Sequence, residues 1–196
     1  IAWGQNGYFS RYPIANAMEK NKARGMKIIA VDPRLTPTTQ RLADLHLRPH
    51  LGTDGALALG IANLLIQNDW IDRDFIEQHV YGFEKYAAYV SRFTPEETQR
   101  LTGVSADLIQ RAAEMIRESS SMCIAESSAP LCHHRNGMQN YRAVMSLNNL
   151  TGNIDRKGGQ IPQEFTFMEM DRGFRTKDEE YMEDTFPAEG RPAIGA

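Results

Sequence analysis

Long hydrophobic runs, clustered basic residues and a cysteine framework are all missing from this chain, and each absence narrows what it can be. No apolar run approaches the roughly 20 residues needed to cross a bilayer, so no membrane span is expected. No basic, apolar, small-residue sequence opens the chain, so no signal peptide is visible. Lys and Arg are scattered and the net charge is -3, which excludes the one-sided basic footprint of a nucleic-acid binder. The two cysteines, Cys123 and Cys132, can form neither a disulfide framework nor a four-thiolate metal site. They read as reduced, partly buried thiols. The G-x-G-x-x-G fingerprint is absent, as is a nucleophile elbow.

What is present describes a globular α/β chain. At 41% hydrophobic and 24% charged residues, it can bury the core of one ordinary domain. Ile1-Ala2-Trp3 reads as the end of a buried strand begun upstream, so the sequence is expected to be a piece of something longer. Lys27–Val31 is a short β-branched run between turns, as expected of a buried parallel strand. Leu45–Arg48 alternates like a half-exposed strand, and Met122–Ala125 reads as another buried one.

Helical patterns lie between these strands. Pro13 suits a helix first turn before Ile14, Ala17 and Met18, with Gly25 placed for its C-cap. Thr53 can cap a helix to about Gln67 that is apolar nearly all round and should be buried. Residues 72 to 102 predict short helices broken at Gly82 and Pro95. Ser105 is placed to cap an amphipathic helix with a Leu108, Ile109, Ala112, Ala113, Ile116 stripe, and Val104 can staple to Ile109. A last helix runs from about Asn136 to Leu150, ending at Gly152. Alternating signals of this kind predict a Rossmann-like fold, a parallel sheet flanked by helices. The domain is expected to cover residues 1–162. Residues 163–196 form an acidic, irregular tail or the start of a next segment, with eight acidic against four basic side chains from Glu169 onward.

Ligands of an open α/β sheet bind beyond the carboxyl ends of its strands, and three loops fall there. Trp3-Gly4-Gln5-Asn6-Gly7 either offers backbone N–H groups to a diphosphate or is an ordinary turn. Asp32-Pro33-Arg34-Leu35-Thr36 either places a carboxylate on ribose hydroxyls or simply ends a strand. Gly52-Thr53-Asp54 either reads guanine, whose N1–H and 2-amino group pair with a carboxylate, or caps a helix. Cys132-His133-His134 holds adjacent side chains that rarely converge on one metal ion. A histidine hydrogen-bonded to a cofactor fits it better.

In order along the chain stand Trp3-Gly4-Gln5-Asn6, Val31-Asp32-Pro33-Arg34-Leu35-Thr36, Leu42-Ala43-Asp44, and Leu51-Gly52-Thr53-Asp54-Gly55-Ala56-Leu57. Then follow Leu101-Thr102-Gly103-Val104, Asn136-Gly137 and Leu147-Asn148-Asn149-Leu150-Thr151-Gly152-Asn153. This series, over residues 1 to 162, resembles the molybdopterin oxidoreductases of the dimethyl sulfoxide reductase type. The resemblance implies a central domain holding one of two molybdopterin guanine dinucleotides around Mo or W. By it, Trp3, Gly4 and Asn6 approach the diphosphate and ribose. Asp32, Pro33, Arg34 and Thr36 line the guanosine, and Gly52, Thr53 and Asp54 read the base. His133 and His134 fall near the pterin and metal pocket, His133 standing where relatives often carry Gln.

The resemblance also places the metal ligand and an iron–sulfur cluster in a segment upstream of Ile1, so this piece is expected to be inactive alone. Its partners would be the remaining domains of the parent chain and an iron–sulfur electron-transfer subunit, in a prokaryotic cytoplasm or periplasm. Two other readings stand beside it. One is a stand-alone nucleotide-binding or regulatory module of the same fold. The other is a dinucleotide-dependent dehydrogenase, against which the missing glycine fingerprint counts.

Overall fold

The computed structural model describes residues 1–126 and 128–161, and residues 1–161 form one compact unit. The expected acidic tail, residues 163–196, lies outside the described residues. Four short strands make up the sheet: β1 (Ala2–Trp3), β2 (Ile29–Val31), β3 (Leu45–Leu47) and β4 (Ala125–Glu126). They pair in the order β3-β2-β1-β4, all parallel.

Parallel neighbours require crossovers, and helices supply them. Between β1 and β2 lie α1 (Gly7–Ser10) and α2 (Tyr12–Lys22), and between β2 and β3 lies α3 (Pro37–Leu42). The long passage from β3 to β4 holds α4 (Asp54–Gln67), α5 (Arg73–His79), α6 (Phe83–Val90), α7 (Pro95–Thr102) and α8 (Ala106–Glu118). After β4 come α9 (Ser128–Cys132) and α10 (Gly137–Leu150).

Side chains alternate across a strand, and the two faces of this sheet are packed very differently. Trp3, Ile29, Val31 and Leu47 join the main core with Leu57, Ile61 and Leu65 of α4, Ile109 and Ile116 of α8, and Val144 and Leu147 of α10. The apolar helix α4 is thus buried at its centre, as its composition predicts. On the other face Ala2, Ile28 and Leu42 form a small cluster backed by Tyr8 and Met18. Val104 and Ile109, the two residues of the expected staple, are both buried in the main core.

Several expectations need correction. The second strand begins at Ile29, not Lys27, because the Ile28 N–H is taken by the Asp44 carboxylate at 2.8 Å. The last strand shifts from Met122–Ala125 to Ala125–Glu126. The Met122 N–H donates to the Asn153 side chain at 2.9 Å and not to a neighbouring strand. Thr53 and Ser105 occupy N-cap positions without side-chain caps, and the Thr53 hydroxyl donates to the His50 carbonyl at 2.7 Å. Gly25 lies beyond the α2 C-cap, which is Ala23. The short helices α1, α3 and α9 have no counterpart in the sequence reading.

Candidate functional site at the carboxyl edge of the sheet

All four strands point the same way, so the loops following them gather at one edge. The chain steps outward from β1 to β2 to β3, then returns to place β4 on the other side of β1. The reversal between β1 and β4 makes this the switch point beyond which this class of sheet takes ligands. There the loop after β1 meets α9. Gly4, at φ +63°, lies so near Pro130 that an added Cβ would sit 3.0 Å from its ring, so glycine suits the close approach of this loop to α9.

Trp3 ends β1 fully buried, and its indole Nε1–H donates to Asp54 Oδ1 at 2.8 Å. The first loop and the third are therefore directly linked. Asn6 accepts a hydrogen bond from the Thr38 hydroxyl at 3.2 Å, which ties that loop to α3. Gly52, at φ +81°, has open space where a side chain would stand. Asp54, half-buried, opens α4 beside the positive end of the helix dipole.

Asp32 follows β2 and is only 5% exposed. Its Oδ1 accepts the Arg34 N–H at 2.8 Å, with the Arg34 Nε 3.8 Å away. This is an Asx-type turn, and it holds the carboxylate close under the loop. Its carbonyl is met by His46 Nε2 at 2.8 Å. A carbonyl only accepts, so that ring nitrogen carries the proton. Arg34 itself is exposed, and Pro33 borders an open hollow shared with Arg48, Pro49, His50 and Leu51. Thr36 is buried and occupied. It caps α3 in a reciprocal box with Thr39, accepting the Thr39 N–H at 3.2 Å while the Thr39 hydroxyl accepts the Thr36 N–H at 2.8 Å.

His133 and His134 follow α9, both exposed. His134 Nε2 donates to the Pro130 carbonyl at 2.6 Å, which ties its ring to the same residue of α9 that presses on Gly4. The edge thus links Trp3 to Asp54 and sets Gly4 against Pro130, whose carbonyl holds His134. Asp32, Pro33 and Arg34 stand on a neighbouring loop.

Three side chains at this edge have no role in the sequence reading. Gln5, 3% exposed, donates from Nε2 to the Glu126 carbonyl at 2.8 Å, stitching the loop after β1 to the end of β4. Tyr141 of α10 donates its hydroxyl to Glu126 Oε1 at 3.0 Å. Burial first, then the hydrogen bond and charge of Glu126 and the nearby Cys132, push the Tyr141 hydroxyl above its ordinary value. Asn140, 2% exposed, accepts the Gly55 N–H at 3.3 Å and reaches the Gly52 carbonyl at 3.5 Å. A signal for Asn140 was available: it is a polar residue in register with Val144 and Leu147 on the buried face of α10.

Comparison with known proteins agrees with this architecture. The molybdopterin oxidoreductase family matches residues 1–178, so the likeness runs past residue 162. The chain is 33% identical over 158 residues to the F420-dependent formate dehydrogenase 2 subunit alpha of Methanococcus maripaludis, covering 81% of this chain and 23% of that protein. It is 33% identical over 156 residues to formate dehydrogenase H of Escherichia coli, covering 80% and 22%. It is 32% identical over 148 residues to the dimethyl sulfoxide/trimethylamine N-oxide reductase of Rhodobacter capsulatus, covering 72% and 18%. Among solved structures, acetylene hydratase from Pelobacter acetylenicus matches with a TM-score of 0.75 and 28% identity, covering 82% of this chain and 22% of that one. The chain spans about a quarter or less of the length of these relatives. By family match, by sequence and by fold, the chain belongs to the molybdopterin oxidoreductases.

Proposed function

We propose that this chain is the cofactor-binding part of a longer molybdenum or tungsten oxidoreductase and holds the guanosine-bearing end of a molybdopterin guanine dinucleotide. The observation that carries the reading is the gathering of Trp3, Asp32 and Asp54 on neighbouring loops beyond one parallel sheet edge, in a chain of this family. The residues suit such a group. Gly52 leaves open space in the turn that leads into Asp54, and a carboxylate is the side chain that can accept both guanine N1–H and the 2-amino group. Asp32 keeps one oxygen beyond its own turn for ribose hydroxyls. Gly4 and Asn6 border the switch point on the diphosphate side, with Pro33, Arg34 and Thr36 along the guanosine. His133 and His134 stand toward the pterin.

When bound, the cofactor supplies the metal at which an oxygen atom or an electron pair is exchanged. The contribution of this chain is to bind, orient and select. In this reading the metal ligand and an iron–sulfur cluster belong to other parts of the parent, whose further partner is an iron–sulfur electron-transfer subunit. The 196-residue chain then has no redox turnover of its own.

Binding of GDP and ADP to the purified chain, followed by calorimetry, tests the base assignment. Wild type is expected to favour GDP. Asp54→Asn narrows the gap between the two nucleotides, and Asp32→Ala weakens both alike. Equal affinity of the wild-type chain for GDP and ADP removes Gly52–Asp54 as a guanine reader.

A further inference from the structure

The turn assigned to base reading does not stand on its own element. Asp54 is the first residue of α4, yet one of its oxygens is held from β1, by the Trp3 indole at 2.8 Å. The turn before it is held from a third element. Asn140 of α10 takes the Gly55 N–H on its Oδ1 and turns its Nδ2 toward the Gly52 carbonyl. Gly55 permits this approach, because a Cβ there would stand 2.6 Å from Asn140 Oδ1. Trp3 is fully buried and Asn140 nearly so, so both groups sit in fixed surroundings where rotamers are locked by packing. A carboxylate oxygen has more than one lone-pair site. The indole bond therefore fixes the rotation of Asp54 without using up its capacity to accept.

We propose that Trp3 and Asn140 are positioning residues for Asp54: Trp3 sets the plane of the carboxylate, and Asn140 sets the Gly52–Gly55 backbone beneath it. The ligand class is a purine nucleotide whose base presents two adjacent N–H donors. The inference rests on the base-reading assignment of Asp54. It adds that the diphosphate-side loop after β1 and the base-reading turn share one hydrogen bond, so a ligand spanning both meets a single preset geometry. Preset acceptors add selectivity because they need no ordering when the base arrives.

The test uses the 196-residue chain labelled with nitrogen-15, with GDP and ADP as probes. The chain has two tryptophans, and Trp70→Phe assigns the Trp3 indole signal. GDP is expected to move that indole N–H resonance in the wild-type chain further than ADP does. Trp3→Phe, which keeps a ring but loses the donor, should reduce the preference for GDP over ADP about tenfold, the usual worth of one hydrogen bond to a charged group. Asn140→Leu should reduce the same preference while leaving the Trp3 indole resonance of the free protein in place. If GDP binds in preference to ADP with the Trp3 resonance unmoved, or if Trp3→Phe or Asn140→Leu folds and keeps full discrimination, the positioning role is overturned and the base assignment survives. If wild type binds GDP and ADP alike, or neither, the base assignment itself fails.

Discussion

The two faces of the sheet differ in what holds them. Among the described residues, 23 buried apolar side chains join on the face covered by α4, α8 and α10, against three on the face covered by α1, α2 and α3. The sparse face compensates with polar ties: Asp44 pairs with Lys22 at 2.8 Å and accepts the Ile28 N–H at 2.8 Å. Apolar packing is non-directional and grows with area, so the heavy face is robust to the details of its loops. The light face depends on individual directed bonds, and the loops that carry Asn6 and Asp32 belong to it.

The sharpest contrast between the faces should come from truncation. Leu57→Ala empties a fully buried site in the main core and should cost about 3–5 kcal/mol. Leu42→Ala, in the three-residue cluster, should fall nearer about 2 kcal/mol, since a thin cluster relaxes more readily. Urea midpoints at unchanged slope measure both, and equal losses would erase the distinction between the faces. Next in size is Gly55→Ala. Helix propensity alone would favour alanine by about 1 kcal/mol. The clash with Asn140 at 2.6 Å should reverse the sign and destabilise by about 1–3 kcal/mol. A more stable Gly55→Ala variant would show that α4 and α10 do not meet as closely as described.

The light face should show its dependence on charge through Asp44. Burial raises this carboxyl, but Lys22, the Ile28 N–H and Lys27 outweigh burial and hold it below its ordinary value of 3.8. A carboxyl lowered on folding contributes stability that is complete above its unfolded value and is lost as pH falls through the folded one. Asp44→Asn should therefore cost about 1 kcal/mol at neutral pH, and the difference from wild type should fade in acid below about pH 4. A difference that stayed constant down to pH 2 would exclude the charge as its source. The smallest effect belongs to the outer surface of α8, where Arg111 pairs with Glu114 at 3.2 Å and Glu118 at 3.1 Å. These pairs are open to solvent and screened, so Arg111→Ala should leave Tm unchanged. A clear drop would mean that the heavy face draws on electrostatics as the light one does.

Long periodic stretches were legible in the sequence. The stripe of α8, the all-round apolar α4 and the breaks at Gly82 and Pro95 each appear where the pattern of residue types places them. The short helices α1, α3 and α9 were not. The helix α3 arises from a reciprocal pair of threonines, Thr36 and Thr39, a capping box without the acidic partner that usually signals one. The candidate site residues divide in the same way. Trp3, Gly4, Asp32 and Asp54 announce themselves by standing just past strand ends or at a helix start. Asn140 and Tyr141 act from a helix more than 80 residues beyond the turn that Asn140 supports; the register of Asn140 on the buried face of α10 marks it as an internal polar residue, but nothing local names its partner.

By itself the sequence determined the alternation of strands and helices, the parallel sheet and the loops that must lie beyond it. Those follow from periodicities of two and 3.6 residues and from turn chemistry, which act over a few neighbours. Only the tertiary structure decided that β4 returns beside β1, that Gly4 closes against Pro130, and that the Trp3 indole spends its N–H on Asp54. The physical reason is range. A hydrogen bond between residues 51 positions apart depends on where packing brings two elements, and a buried donor takes the acceptor that packing supplies.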